Sequence, residues 1–170
     1  VTTQAQNEFS DERRRVVTWE DPDVGWSSAA GLSGLEYLSR IVDGTLPPPP
    51  IAQTLGFTVA AVADGQAEFT LVPGEYHYNP IGSVHGSVYA ALLDSACGCA
   101  VHSKLPAGVG YTSLDLTVKF LRGMRRDTGL VRCVGTVRHL GRRSALAEAA
   151  ITDEQGRLYA TATSTCLLLP

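Results

Sequence analysis

The sequence predicts an α+β domain in which a curved antiparallel sheet of about six strands wraps one central helix. Three observations carry that expectation. The stretch from Asn79 to His102 runs from a Pro- and Gly-rich loop into a segment of good helix formers, where Asp94 is the sole charged side chain between Gly86 and Val101. Strand-like runs bounded by turn formers occur twice before that stretch and four times after it. A helix apolar on every side must be enclosed, and antiparallel strands with one dry face can enclose it.

Bulk properties narrow the class. At 170 residues the chain is long enough for one domain with a real core plus additional material. Its 44% hydrophobic and 18% charged residues are those of an ordinary globular protein. A formal net charge of -3 argues against a nucleic-acid partner, which asks for a basic face. No apolar run approaches the roughly 18–20 residues of a membrane span. The first residues, VTTQAQNEFSDERRR, lack the apolar core of a secretory leader, so a cytoplasmic protein is expected. Cys97, Cys99, Cys133 and Cys166 form no CxxC pair and have no companion at zinc-ligand spacing. Reduced structural thiols and no metal site are expected.

Two parts follow from the order of elements: an N-terminal extension over 1–45 and the domain proper over 46–170. Residues 1 to about 30 read as a polar, irregular, mobile arm that packs on the domain or a partner subunit through Trp19 and Trp26, with Arg13, Arg14 and Arg15 as a solvated face. Residues 31–43, GLSGLEYLSRIVD, form a short amphipathic helix with Leu35, Leu38, Ile41 and Val42 on one face, ended by Gly44. Pro47 to Pro50 is a stiff extended connector.

Within the domain, Phe57 to Ala63 and Gln66 to Val72 are strands joined at Asp64-Gly65. The second alternates Ala67, Phe69 and Leu71 with Gln66, Glu68 and Thr70. After the helix, runs over 111–121, 129–139, 143–152 and 157–168 are separated by breaks short enough for hairpins, which predicts a four-stranded antiparallel meander. On the helix, Val88, Ala91, Leu92, Ser95, Ala96, Cys99 and Ala100 make a stripe of mostly small residues suited to close sheet contact.

Asp94 lies too far inside the helix to cap it, and an unpaired carboxylate is costly to bury, which marks it as a functional candidate. The residues around it, Asn79-x2-Gly82-x2-His85-Gly86 with Asp94 nine residues after the histidine, resemble the loop and central helix of hot-dog-fold acyl-CoA thioesterases of the PaaI-like group. GLEYLSRIVDGTLPPPPIAQTLGF and GRRSALAEAAITDEQGRLYATATSTCLLL are similar to that group too, so the resemblance spans about residues 31–169. Ser87 departs from it, because many members carry a second glycine there.

The resemblance implies hydrolysis of an acyl-CoA to a free acid and CoA, with no cofactor beyond the substrate. Thioester hydrolysis needs an activated water or a carboxylate nucleophile, together with donors aimed at the developing oxyanion. Asp94 can supply the first and the backbone N–H of Gly86, at a helix N-terminus, the second. Eight residues separate them, which is about 80° around the helix and roughly 12 Å along it. One thioester carbon cannot touch both within a single helix, so the site must pair Gly86 of one subunit with Asp94 of another. The resemblance agrees, implying a homodimer with two sites, assembled as a dimer of dimers.

By the same resemblance Asn79 orients the nucleophile or water, although an Asn–Pro turn is an equal reading of it. His85 is read as a loop organiser, with a general base as second choice. Ser113, or else Thr112, resembles the hydroxyl that assists the acid, and Ser87 and Thr112 face the substrate. Arg142 and Arg143 are the first choice for the CoA phosphates, ahead of Arg122, Arg125 and Arg126 at another turn. Two alternatives share the fold, a 3-hydroxyacyl dehydratase and a non-catalytic acyl-CoA-binding protein. The acid nine residues after His85 disfavours the dehydratase, and residues 1–45 hold no DNA-binding pattern of the kind a regulator needs. A serine hydrolase is disfavoured because GSVHG places Val where the nucleophile would stand.

Overall fold

The structure, a computed structural model, describes residues 13–170. The first 12 residues of the expected arm and the side chain of Trp26 lie outside the described residues. Helix α1 covers Pro22–Ser28, α2 Gly34–Val42, α3 Pro50–Leu55 and α4 Gly86–His102. The strands are β1 Phe57–Ala63, β2 Gln66–Leu71, β3 Gly110–Ser113, β4 Thr117–Phe120, β5 Val131–Leu140, β6 Ser144–Asp153 and β7 Leu158–Leu169. They form one antiparallel sheet in the order β1-β2-β5-β6-β7-β3, with β4 also on β7. β3 and β4 are one interrupted edge strand, so the sheet is six strands wide and wraps α4 as expected.

Several expectations are corrected. The arm is not irregular throughout: α1 forms where the Asp21 carboxylate accepts the Asp23 N–H at 3.0 Å, with Pro22 opening the helix. Trp19 is 59% exposed and does not anchor the arm to the domain within this chain. Two arginines do so instead. Arg13 pairs with Glu75 at 2.7 Å, and Arg15 stacks over the Tyr76 ring while donating to the carbonyls of Thr54 and Gln53. Those carbonyls end α3, where a cation is favoured.

The proline run is not wholly extended. Pro50 occupies the first turn of α3, where a missing N–H costs nothing, and Gly56 closes that helix with φ 74°.

The meander is also corrected. Only β5, β6 and β7 follow one another; β5 pairs with β2, and the 111–121 run lies at the opposite edge against β7. The segment after β4 is a crossover rather than a hairpin. Met124 is fully buried, its N–H donates to the Tyr89 hydroxyl and its carbonyl accepts the Val84 N–H at 2.9 Å, which pins the chain across the start of α4. The 111–121 run itself breaks because Asp115 competes for the ladder: its carboxylate accepts the Thr165 N–H at 3.1 Å, and the register slips by one residue between β3 and β4.

Capping places α2 against the helix. Ser33 and Glu36 form a reciprocal capping box, and Leu38 turns inward. At the far end of the sheet, buried Asp153 accepts from the Arg157 guanidinium, the Tyr159 hydroxyl and two backbone N–H groups, closing the β6–β7 turn.

α4 is buried along Leu92, Leu93, Ala96, Cys97, Ala100 and Val101 but is not enclosed all round: Ala90, Ala91, Asp94 and Ser95 stay half-buried on one side. Its depth is set by Gly135 on β5, where a Cβ would stand 2.1 Å from the Ala96 carbonyl oxygen. Gly135→Ala is therefore expected to lower stability by about 3 kcal/mol, the upper part of the range for overpacking, read as a reduced urea midpoint.

Candidate active site

The loop before α4 is built from buried polar contacts. His77 closes a 3₁₀ turn over Glu75–His77; its Nδ1 accepts the Gly74 N–H at 3.1 Å and its Nε2–H donates to the Leu55 carbonyl at 2.7 Å. Burial pushes the His77 imidazole below its usual pKa, opposed by the bond to Leu55 and reinforced by the nearby Arg15 charge. Its carbonyl accepts the His85 N–H at 2.7 Å, tying the turn to the start of the helix. Asn79 spans the intervening loop: its side-chain oxygen accepts from the Ile81 and Ser83 N–H groups at 3.1 and 3.2 Å, and its amide donates to the Ser83 hydroxyl. That is the Asx-turn use of asparagine.

His85 caps α4. Its backbone is extended, and Nδ1 accepts from the Ser87 N–H at 3.1 Å with the Ser87 hydroxyl 2.7 Å away. This arrangement puts the ring proton on Nε2. Gly86 is the first helical residue, and its N–H has no acceptor among the described residues. A Cβ there would come 3.2 Å from the exposed ring of Phe120. Asn79, Gly86 and Phe120 line a cleft of about 350 Å³ together with Tyr89 and Arg122.

Asp94 stands two turns further along α4 and accepts the Ser113 hydroxyl at 2.9 Å. Ser113 ends β3 opposite buried Cys166, so the pleat aims it at the helix. Thr112 lines the same cleft without a bond to Asp94. Asp94 sits where two hollows meet. One, of about 390 Å³, runs along α4 over Phe57, Val59 and Phe69 and under Leu38 of α2. The other, about 400 Å³ and open, follows Ala90, Ala91 and Leu116 along the sheet edge. A larger depression of about 570 Å³ lies on the outer sheet face, and none of the candidate residues lines it.

Within one chain the structure thus brings together Asp94, Ser113 and Thr112, and separately Asn79, His85, Gly86 and Ser87. Arg142 and Arg143 are exposed on the β5–β6 turn and have no ion-pair partner among the described residues. The Arg143 carbonyl accepts the Leu168 N–H, and Leu168 pairs with Tyr111, which lines the Asp94 cleft. Arg126, by contrast, is committed to Glu75. Sequence reasoning missed the walls of the cleft. Tyr37 and His102 line it, and the usable signal was the spacing of His102, eight residues after Asp94 on the same helix.

The four cysteines are free thiols. Burial pushes Cys97 up to about 12, and Cys99 also to about 12 although the Tyr111 hydroxyl opposes the shift. Among the described residues no group of three or more His, Cys, Asp or Glu side chains could hold a metal ion, and no helix is long and apolar enough to cross a membrane.

A long central helix wrapped by a curved antiparallel sheet defines the hot-dog class. A model of the thioesterase superfamily matches residues 81–160. The proofreading thioesterase EntH of Cronobacter turicensis is 30% identical over 127 residues, which is 75% of this chain and 88% of that protein. A 1,4-dihydroxy-2-naphthoyl-CoA hydrolase of Listeria monocytogenes is 25% identical over 108 residues, 64% of this chain and 86% of the relative. Among solved structures, a phenylacetic acid degradation-related protein of Ralstonia eutropha superposes with a TM-score of 0.69 at 33% identity, covering 77% of this chain and 98% of that one. The chain belongs to the thioesterase superfamily, in its PaaI-like hot-dog group, and is a thioester hydrolase by class.

The depressed His77 pKa has a consequence for stability. As pH falls through the ordinary imidazole value of 6.5, the unfolded chain takes up a proton that folded His77 resists. The stability contributed by neutral His77 is complete above that value and lost below it. Urea unfolding between about pH 7.5 and 5 is expected to show a falling midpoint in the wild type and a shallower fall in His77→Gln.

Proposed function

We propose that the protein hydrolyses an acyl-CoA thioester to the free carboxylic acid and CoA, at sites shared between the two subunits of a homodimer. The observation that carries the reading is the position of the Asp94–Ser113 pair, at the meeting of an apolar cleft and an open groove. The acyl chain enters the cleft and the thioester lies against Asp94. Ser113 holds one carboxylate oxygen, leaving the other to take a proton from an attacking water or to attack the carbonyl carbon itself. Either attack forms a tetrahedral oxyanion; its collapse breaks the C–S bond and expels the CoA thiolate, which is protonated by solvent. On the nucleophilic path, water then hydrolyses the acyl-aspartyl anhydride.

The oxyanion needs a donor that the same chain does not bring to Asp94. In this reading the partner's Gly86 N–H supplies it, free of any acceptor and at the positive end of α4. Asn79, with one amide hydrogen still unused, orients the water, and His85 and Ser87 hold the helix start that presents Gly86 to the substrate. A second copy is supported by the edge formed by β3 and β4, which is unpaired on its outer side and carries exposed Leu114, Phe120 and Leu121. The unpartnered Arg142 and Arg143 suit the phosphates of CoA, and a name such as that of the Listeria relative is consistent with a CoA ester as substrate. Free thiols, three of them buried, and the acidic balance fit a cytoplasmic enzyme.

Thiol release from a panel of acyl-CoAs tests the reading. Asp94→Asn and Asp94→Ala are expected to lower kcat by about 10²–10⁴-fold, the range for a positioned acid–base group. Turnover that survives both substitutions would sink the mechanism, and tight binding of CoA esters without turnover would favour a non-catalytic binder.

A further inference from the structure

The edge strand turns two different sets of residues toward α4. In β3 they are odd-numbered: the Tyr111 ring lies 5.4 Å from that of His102, and Ser113 donates to Asp94. From Leu116 through β4 they are even-numbered: Leu116 and Val118 pack on the core, and the Phe120 ring meets Tyr89 edge-on at 5.6 Å. Ser113 and Phe120 are seven residues apart, and in an uninterrupted strand an odd spacing puts two side chains on opposite faces. Sharing a face therefore takes an extra residue between them. The pairing shows it, because four steps along the edge from Ser113 to Thr117 match three along β7 from Cys166 to Thr163. β7 itself is regular, with Ala160, Ala162, Ser164 and Cys166 all buried.

Asp115 supplies the bonds of that bulge. In a straight antiparallel ladder Leu114 and Thr165 would exchange two N–H···O bonds. One of them is made, from the Leu114 N–H to the Thr165 carbonyl at 2.8 Å. The Thr165 N–H donates instead to the Asp115 carboxylate at 3.1 Å, and the Asp115 carbonyl accepts from the buried Ser164 hydroxyl at 2.8 Å. Each of these two bonds joins a side chain to the backbone, which a straight ladder does not do. Without the carboxylate, the Thr165 N–H finds its acceptor only by returning to straight pairing. With β4 held in place, straight pairing turns Ser113 away from Asp94. β4 is well anchored: Val118 and Phe120 stand opposite buried Ala162 and Ala160, and the Leu121 and Arg122 N–H groups both donate to the Tyr159 carbonyl. Ser113 ends its strand and is exposed, so its bond is the one that gives.

We propose that Asp115 is a positioning residue, whose carboxylate holds the bulge that aims Ser113 at Asp94. It acts through Ser113 and not on the substrate. Asp115 also borders the open groove beside Asp94, so the rival assignment is a direct part in the reaction. A neutral replacement tells the two apart, because Asn keeps an acceptor oxygen for the Thr165 N–H and loses the charge.

The proposal rests on the reading of Asp94 as the reacting carboxylate, and its test separates the two. CoA release from a panel of acyl-CoAs is compared for the wild type, Asp115→Ala, Asp115→Asn, Ser113→Ala and the Asp115→Ala/Ser113→Ala double variant. Asp115→Ala is expected to lower kcat by about 10–10²-fold, the loss for a misplaced group, with KM changed by less than about threefold. Asp115→Asn is expected to stay within about threefold of the wild type in kcat. In the Ser113→Ala background Asp115→Ala is expected to cost less than about threefold, because the group it positions is already gone. General damage to the fold would persist in that background. Crystal structures of the wild type and both Asp115 variants read the same contact without catalysis. The Ser113 hydroxyl is expected on Asp94 in the wild type and the Asn variant, and beyond bonding distance in the Ala variant. If the wild type hydrolyses no ester, the function proposed above fails, while the structures still judge the role of Asp115. Single effects that multiply in the double variant, an Asn variant as slow as Ala, or a Ser113–Asp94 bond that survives Asp115→Ala would overturn the assignment.

Discussion

The approach of the α4 backbone to β5 at Gly135 is the contact on which the rest of the molecule depends. A hydrogen in place of a side chain lets the Ala96 carbonyl lie against the strand, and that depth fixes where every other residue of α4 stands. Leu92, Leu93 and Cys97 sink into the sheet at that depth, and the Cys133 thiol reaches the Leu92 carbonyl at 3.5 Å. Asp94, on the opposite side, is left within reach of Ser113 on the edge strand. Were the helix an ångström or two further out, the carboxylate would lose its hydroxyl and the cleft its floor. Close packing transmits that kind of shift because a filled core cannot absorb it.

The second consequence is an incomplete helix coat. Six strands cover α4 on three sides, while Ala90, Ala91, Asp94 and Ser95 remain half-buried beside an unpaired edge strand. A monomer would expose that groove together with Leu114, Phe120 and Leu121. The elements that aim Gly86 are equally well made and equally far from Asp94: His77 holds the turn, Asn79 the loop and His85 the helix start. Two well-built halves that do not meet within one chain are what a shared site requires.

How far the sequence foretold this depends on the range of the forces involved. β1, β2, α4 and the three strands of the real meander were legible because their period and turn residues are local signals; Phe57–Ala63 matches its predicted bounds outright. Asp94 was legible because a charge in an apolar helix is anomalous wherever it occurs. The path of 111–121 to the far edge was not, since it depends on Met124 and Tyr89 meeting across the start of α4, 35 residues apart in the chain. α3 was hidden by the proline run that leads into it, because proline forbids a helix interior but Pro50 suits the first turn. Tyr37 and His102 were missed because each reads as an ordinary helix residue until α2 and α4 are packed together.

The central claim is that each site takes its carboxylate from one subunit and its oxyanion donor from the other. Gly86→Pro deletes the donor with little harm to the helix, because Pro is accepted at the first helical position and His85 already has the extended backbone, φ -64° and ψ 141°, that a following Pro requires. Gly86→Pro and Asp94→Ala, each inactive alone, are unfolded together, refolded and assayed as a mixture. Half of the dimers would then be mixed and each would hold one intact site of two, giving about a quarter of the wild-type rate. A mixture whose mixed dimers are demonstrated by mass and which stays as inactive as its components would contradict the account.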